Sequence, residues 1–252
     1  MTSLRSLMAG CSLAAAMAMP AHAFDIGAMS DAERAQFREE IRAYLLDNPE
    51  VLMEAIGVLE NRQAEAQATA DKDLVAAHAE ALFEDEASWV GGNPEGDLVL
   101  VEFMDYRCGY CKKAYDEVSE LVESDGNIRF VVKEFPILGE ESVLAARFAV
   151  AVKLEAGDAA YEQVHDALMT LRGNVTADAL ERVGRDAGID VDAVMARMED
   201  PQVTATLEAN HALAQQLSIS GTPTFIMGDE ILRGYLPLDA MRQVAEQERA
   251  EG

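Results

Sequence analysis

The chain has 252 residues, half of them hydrophobic, which is enough for one sizeable domain with a buried core and an accessory segment. Its 46 acidic and 20 basic residues give a formal net charge of -26. Nucleic acid and anionic lipid would both be repelled by such a surface, so neither is expected as a partner.

The first predicted element is not part of the fold. Arg5 supplies a positive start, Leu7 to Met19 form an uncharged apolar run, and Pro20-Ala21-His22-Ala23 offers an Ala-x-Ala cleavage site. Residues 1–23 therefore read as a secretory signal peptide, too short to span a membrane, and the mature chain is expected in the periplasm. Met8-Ala9-Gly10-Cys11 loosely resembles a lipoprotein cleavage site, but the apolar run before Cys11 is too short for one. Cleavage after Ala23 leaves Cys108 and Cys111 as the only thiols, in a compartment where disulfides form.

A helical arm is expected over residues 24–90. Ser30 and Glu33 form a capping box, and Phe37, Ile41 and Leu45 recur on one helical face. Asn48-Pro49 breaks this helix and starts a second, whose stripe of Val51, Leu52, Ile56 and Leu59 fades into an Ala/Glu/Gln-rich run. So few large apolar residues cannot build a core alone; the arm docks on its own domain or on copies of itself, which makes residues 30–87 a candidate homo-oligomerisation region.

Gly91-Gly92-Asn93-Pro94 reads as a linker to a domain over 91–252. Asp97 to Tyr106 reads as a buried strand, Lys112 to Glu123 as a helix, and Ile128 to Phe135 as a second strand, a βαβ unit with parallel pairing. Helical segments follow over about 140–215: Ser142 to Ala156, Asp158 to Leu171, Thr176 to Ala187, and one running on from Asp190. Ser220-Gly221-Thr222-Pro223 then precedes a hairpin of Thr224 to Met227 and Glu230 to Tyr235, and Pro237 starts a last helix.

The chemistry sits in "DYRCGYCKK", residues 105–113. Structural zinc needs four ligands, and no second Cys or His pair exists, so no metal is expected. A structural disulfide across so short a loop would restrain little chain entropy. A reactive dithiol remains. Cys108 falls near a helix N-cap, where backbone N–H groups and the helix dipole favour a thiolate. Arg107, Lys112 and Lys113 are expected to add their field to this effect. Cys108 is the expected attacking sulfur, and Cys111, one turn further in, the resolving one.

"VLVEFMDYRCGYC" followed by "SGTPTF" resembles the thioredoxin superfamily, and the helical insertion between them resembles the DsbA-like periplasmic thiol-disulfide oxidoreductases, over roughly residues 97–250. The fold class this implies is α/β: thioredoxin-like with a helical insertion, preceded by an N-terminal helical arm similar to that of ScsC-like proteins. The resemblance implies a cis Pro223 whose loop, with Thr222, docks client peptides beside the sulfurs. It also implies a buried acid at Glu102 that assists proton transfer at Cys111, and no cofactor beyond the dithiol. Glu102 lies among Leu100, Val101 and Phe103, so burial should raise its pKa. Tyr110, between the cysteines, tunes the dithiol or touches substrate. His165 and His211 read as structural or surface residues.

Partners implied are secreted client proteins with thiols or disulfides, and a redox partner that recycles the dithiol. The Cys-Gly-Tyr-Cys and Gly-Thr-Pro combination resembles DsbC-type isomerases, whereas the inserted helices resemble DsbA, so oxidase and isomerase both stand open. A rival of another class is a periplasmic protein binding Cu(I) through the same two sulfurs.

Overall fold

The computed structural model describes residues 26–251; the signal-peptide and Cys11 readings lie outside the described residues. Two compact units meet between Glu60 and Asn61.

In the first unit, α1 (Asp31–Asp47) starts at the expected capping box: the Ser30 hydroxyl accepts from the Glu33 N–H, and the Ser30 N–H donates to Glu33 Oε2 at 2.8 Å. The helix ends at Asn48, before Pro49, and α2 (Glu50–Ala77) begins. No residue of α1 is buried, and Phe37, Ile41, Tyr44, Leu52, Ile56 and Leu59 are exposed. The apolar stripe has no cover of its own.

The second unit includes the last turns of α2, then α3 (Ala79–Phe83). Val75 and Leu82 are buried with Val101, Phe103, Val131 and Ile226. These turns of the expected arm therefore dock on their own domain. The sheet comprises β1 (Trp89–Gly92), β2 (Leu98–Met104), β3 (Ile128–Glu134), β4 (Thr224–Met227) and β5 (Glu230–Arg233), in the order β1-β3-β2-β4-β5. β2 and β3 pair in parallel around α4 (Gly109–Asp125), as the βαβ pattern requires; the other pairs are antiparallel.

The expected linker at Gly91–Pro94 is corrected at its start: Gly91 and Gly92 form the end of edge strand β1, opposite Phe130 and Arg129. A Cβ at Gly91 would strike the Trp89 ring, and one at Gly92 (φ +65°) the Ile128 carbonyl. Two adjacent glycines here serve close approach rather than flexibility.

Between β3 and β4 lie α5 (Glu140–Ala156), α6 (Asp158–Thr170), α7 (Ala177–Asp186), α8 (Val191–Arg197) and α9 (Pro201–Gln216). The single helix expected from Asp190 is two, because Asp200 caps a new start, accepting from the Gln202 N–H at 2.7 Å, with Pro201 in the first turn. α10 (Leu238–Glu251) closes the chain. The pleat sorts side chains: Leu100, Met104, Phe130, Val132, Phe225 and Met227 face α4 and the insertion, while Val101, Phe103, Val131 and Ile226 face the other side.

Candidate active site at the tip of the central strand

β2 delivers the chain to the site and a tight turn holds it there. The Asp105 carboxylate accepts from the Arg107 N–H at 2.7 Å and from the Ile137 and Leu138 N–H groups at 2.8 and 3.1 Å, tying the ends of β2 and β3 together. Cys108 then caps α4: its backbone is extended (φ -74°, ψ 117°), and its sulfur accepts from the Cys111 N–H at 3.3 Å. The Thr222–Pro223 peptide is cis, and the Thr222 carbonyl stands 3.2 Å from Cys108 Sγ. Residues 114 positions apart thus meet at one sulfur.

The two thiols are unequal. Hydrogen bonding with the Cys111 thiol, aided by Thr222 and by the Cys111 and Tyr110 backbone, outweighs burial and lowers the Cys108 pKa to about 6. The same bond, together with burial and the charge of Glu102, raises the Cys111 thiol far above its ordinary range. Cys108 keeps 6% of its surface exposed and Cys111 none.

The neighbouring cations do not contribute as expected. Arg107 reaches Glu141 at 3.2 Å and the Gly173 carbonyl at 2.7 Å. Lys112 caps the end of α6 through the Leu171 carbonyl at 2.7 Å, and Lys113 lies 3.9 Å above the Tyr235 ring. They clamp the insertion and the last hairpin, and the polarity that favours the thiolate comes from Cys111, Thr222 and the helix start.

Glu102 is buried on β2, paired in register with Val132 and Phe225, and its Oε1 has no hydrogen-bond partner. Burial first, then the charges of Cys108 and Glu134, raise its pKa to about 8. Tyr110 is 63% exposed, its ring 6.2 Å from that of Tyr235, forming an aromatic surface beside Cys108.

A buried polar cluster was not foreseen. Tyr106 and Tyr161 both donate to Glu134 Oε1, at 2.8 and 2.6 Å, and the Tyr106 hydroxyl lies 3.0 Å from His165 Nδ1. His165 stacks on Trp89 and Tyr161, and burial lowers its pKa to about 4. The structural reading of His165 fits this position. Glu134 ends a strand that also carries Arg129 and Lys133, so the sequence does not single it out, and only strand register puts it near the site. No group of three or more His, Cys, Asp or Glu suited to a metal occurs among the described residues.

Known proteins resemble this chain in sequence and in fold. The DSBA-like thioredoxin domain matches residues 99–246, and the Copper resistance protein ScsC N-terminal domain matches residues 33–66. A thioredoxin-like oxidoreductase from Silicibacter pomeroyi is 40% identical with a TM-score of 0.65, covering 68% of this chain and 97% of its own. Proteus mirabilis ScsC in a transitional conformation is 29% identical (TM-score 0.65; 90% and 99% covered). The thiol-disulfide exchange protein alpha-DsbA2 from Wolbachia pipientis is 26% identical (TM-score 0.68; 72% and 97%). Curated relatives include a sodium/proton antiporter NhaA from Salinispora tropica, 26% identical over 152 residues, 60% of this chain; the chain spans 23% of that relative's length. The DSBA-like model spans more than half of the chain, and the dithiol, the cis Thr222–Pro223 loop and the five inserted helices all lie within that span: the chain belongs to the DSBA-like thioredoxin family.

Proposed function

We propose that the protein exchanges disulfides with secreted client proteins in the periplasm, with Cys108 as nucleophile and Cys111 as resolving thiol. The observation that carries this reading is the inequality of the two sulfurs: one partly exposed with a pKa of about 6, the other sealed beneath it and held protonated. A thiolate ready at neutral pH is the attacking species in exchange.

In the reducing direction, the Cys108 thiolate attacks a client disulfide; a Cys108–client disulfide forms, and the displaced client sulfur leaves as thiolate and takes a proton. Cys111 then gives its proton to Glu102 and attacks the Cys108 sulfur. The Cys108–Cys111 bond forms and the second client sulfur departs with the electron pair. Oxidation of clients is the reverse sequence. Isomerisation stops at the mixed disulfide and lets another client thiol displace Cys108, with no net oxidation. Thr222 and Pro223 offer the edge on which an extended client segment would lie, and Tyr110 with Tyr235 an apolar contact beside it.

The arm supports several dithiols in one assembly. Its unburied stripe of Phe37, Ile41, Leu52 and Ile56 suits pairing with copies of itself, and oligomerisation favours isomerase over simple oxidase, because a misfolded client can be held between sites. The test refolds reduced and scrambled ribonuclease with the same preparation. Gain on scrambled substrate marks an isomerase; gain on reduced substrate alone marks an oxidase; gain on neither refutes exchange. Cu(I) binding by the same sulfurs is the second reading, favoured by the arm's match to a copper resistance family. Mass spectrometry after anaerobic copper loading decides it: a stoichiometric adduct supports it and none ends it.

A further inference from the structure

Glu134 belongs to the side of the sheet that carries the dithiol. β2 and β3 run parallel with Glu102 opposite Val132, so Glu134, two residues on, lies on the same face as Glu102 and one strand away. With strands ~4.8 Å apart and a rise of ~6.6 Å over two residues, the two backbones stand about 8 Å apart at these positions. Both carboxyls are buried, and each keeps one oxygen without a partner: Oε1 of Glu102 and Oε2 of Glu134. Two orphan oxygens of one chemistry on one buried face are costly unless they serve something.

The cluster around Glu134 holds it rather than neutralising it. With both tyrosine hydrogens given to Oε1, His165 Nδ1–H donates to the Tyr106 oxygen, and burial keeps the imidazole neutral. Among the described residues no cation pairs with Glu134: Lys133 points to the other face, bound to Asp85 at 2.6 Å, and Lys153 from α5 pairs with Asp158 at 2.9 Å. Asp105 and Glu102 from β2 and its turn add negative charge, and α9 contributes only the uncharged Thr206 and Asn210. A cleft of about 740 Å³ reaches Glu102 and His165 from solvent past Trp89, rimmed by Asp116, Glu120, Glu123, Glu162 and Asp166. On another side of Trp89, a void of about 10 Å³, near the space of one water, touches Glu134 and Tyr161.

We propose that Glu134 is a positioning residue for the dithiol, acting through Glu102: the two buried carboxyls interact as a coupled pair, and Tyr106, Tyr161 and His165 hold Glu134 where its charge strengthens Glu102 as a base. This rests on the exchange reading for its purpose. Ionised Glu134 makes Glu102 a stronger base for the Cys111 proton; protonated Glu134 lets Glu102 ionise sooner and makes it a weaker base. The cleft is the route by which the proton taken from Cys111 returns to water.

The test titrates the full mature chain, labelled with carboxyl-¹³C glutamate, by NMR, assigning the two resonances through Glu102→Gln and Glu134→Gln. Alongside it, stopped-flow kinetics follow Cys111-dependent resolution of a Cys108–thionitrobenzoate disulfide against pH. The expected result is that Glu134→Gln lowers the Glu102 midpoint by about one pH unit, moves the resolution profile to acid by the same amount, and has no effect on that profile in a Glu102→Gln background. An unchanged Glu102 midpoint overturns the proposal, even if Glu134→Gln lowers thermal stability, as a merely structural residue would. A profile shift that persists without Glu102 overturns it as well. Should Glu134→Gln fail to fold, Tyr161→Phe replaces it: losing a donor makes Glu134 protonate at higher pH, so the Glu102 midpoint must fall, and constancy again refutes. The carboxyl titration needs no activity, so absent exchange by the unaltered protein would refute the exchange reading and leave the coupling to be judged by NMR.

Discussion

Cys108 and Glu102 pull the stability of the reduced protein in opposite directions as pH rises. The folded pKa of Cys108, about 6, lies below the ordinary thiol value, so its contribution to stability is present above the unfolded pKa and lost as pH falls towards 6. Glu102 is the reverse: its pKa is raised to about 8, so it costs nothing below the ordinary carboxylate range and destabilises progressively from there to about pH 8. Glu102→Gln should therefore raise the melting temperature of the protein, by a few degrees at pH 8 and negligibly at pH 4, if the charge penalty is roughly 1–3 kcal/mol. Calorimetry at the two pH values checks this, and equal shifts at both would contradict it. A titration of thiolate absorbance on the Cys111→Ala variant addresses the other half: without a side-chain donor at position 111, the Cys108 pKa should rise above 6 but stay below that of a free cysteine, held by backbone donors.

At the scale of elements, the sheet's second face is fixed by an ion pair that the site does not use. Lys133 is 1% exposed, and its ammonium is held by Asp85 at 2.6 Å and the Ala81 carbonyl at 2.8 Å, which fastens the segment after α3 to β3. Asp85→Ala should destabilise by about 3–5 kcal/mol, since it leaves a buried cation alone, whereas Asp85→Ala with Lys133→Met should recover much of that loss. Denaturant unfolding of both variants measures it; an additive double variant would show that the pair is not coupled. Most elements here were legible in the sequence because their signals are local. The Ser30 box, Pro49 and the apolar run of β2 each announce themselves within a few residues. β1 and Glu134 do not. Gly91-Gly92 carries the composition of a linker and becomes a strand only because β3 offers an edge; Glu134 becomes interesting only once β2 and β3 are in register. The cations flanking the dithiol misled for a related reason, as adjacency in sequence says nothing about where long side chains reach.

For the whole molecule, the dividing line lies at Glu60/Asn61 and not near residue 90. Val75, Leu82 and the bidentate Arg233–Asp71 pair (2.6 and 2.9 Å) bind residues 61–87 into the catalytic unit. A chain beginning at Asn61 should be folded, redox-active and monomeric by light scattering, whereas one beginning at Ser88 should lose several kcal/mol through exposed apolar surface and an unpaired Lys133. If the chain from Asn61 associates like the full chain, the stripe of α1 and α2 is not the oligomerisation surface.

The most direct measurement is intact mass of the two single-cysteine variants after incubation with a disulfide-bonded client. Cys111→Ser should accumulate a stable adduct with the client through Cys108, because the resolving thiol is gone, and Cys108→Ser should form none, its remaining thiol being sealed and protonated. Adduct formation by Cys108→Ser and not by Cys111→Ser would reverse the roles of the two sulfurs, and adducts with neither would contradict disulfide exchange altogether.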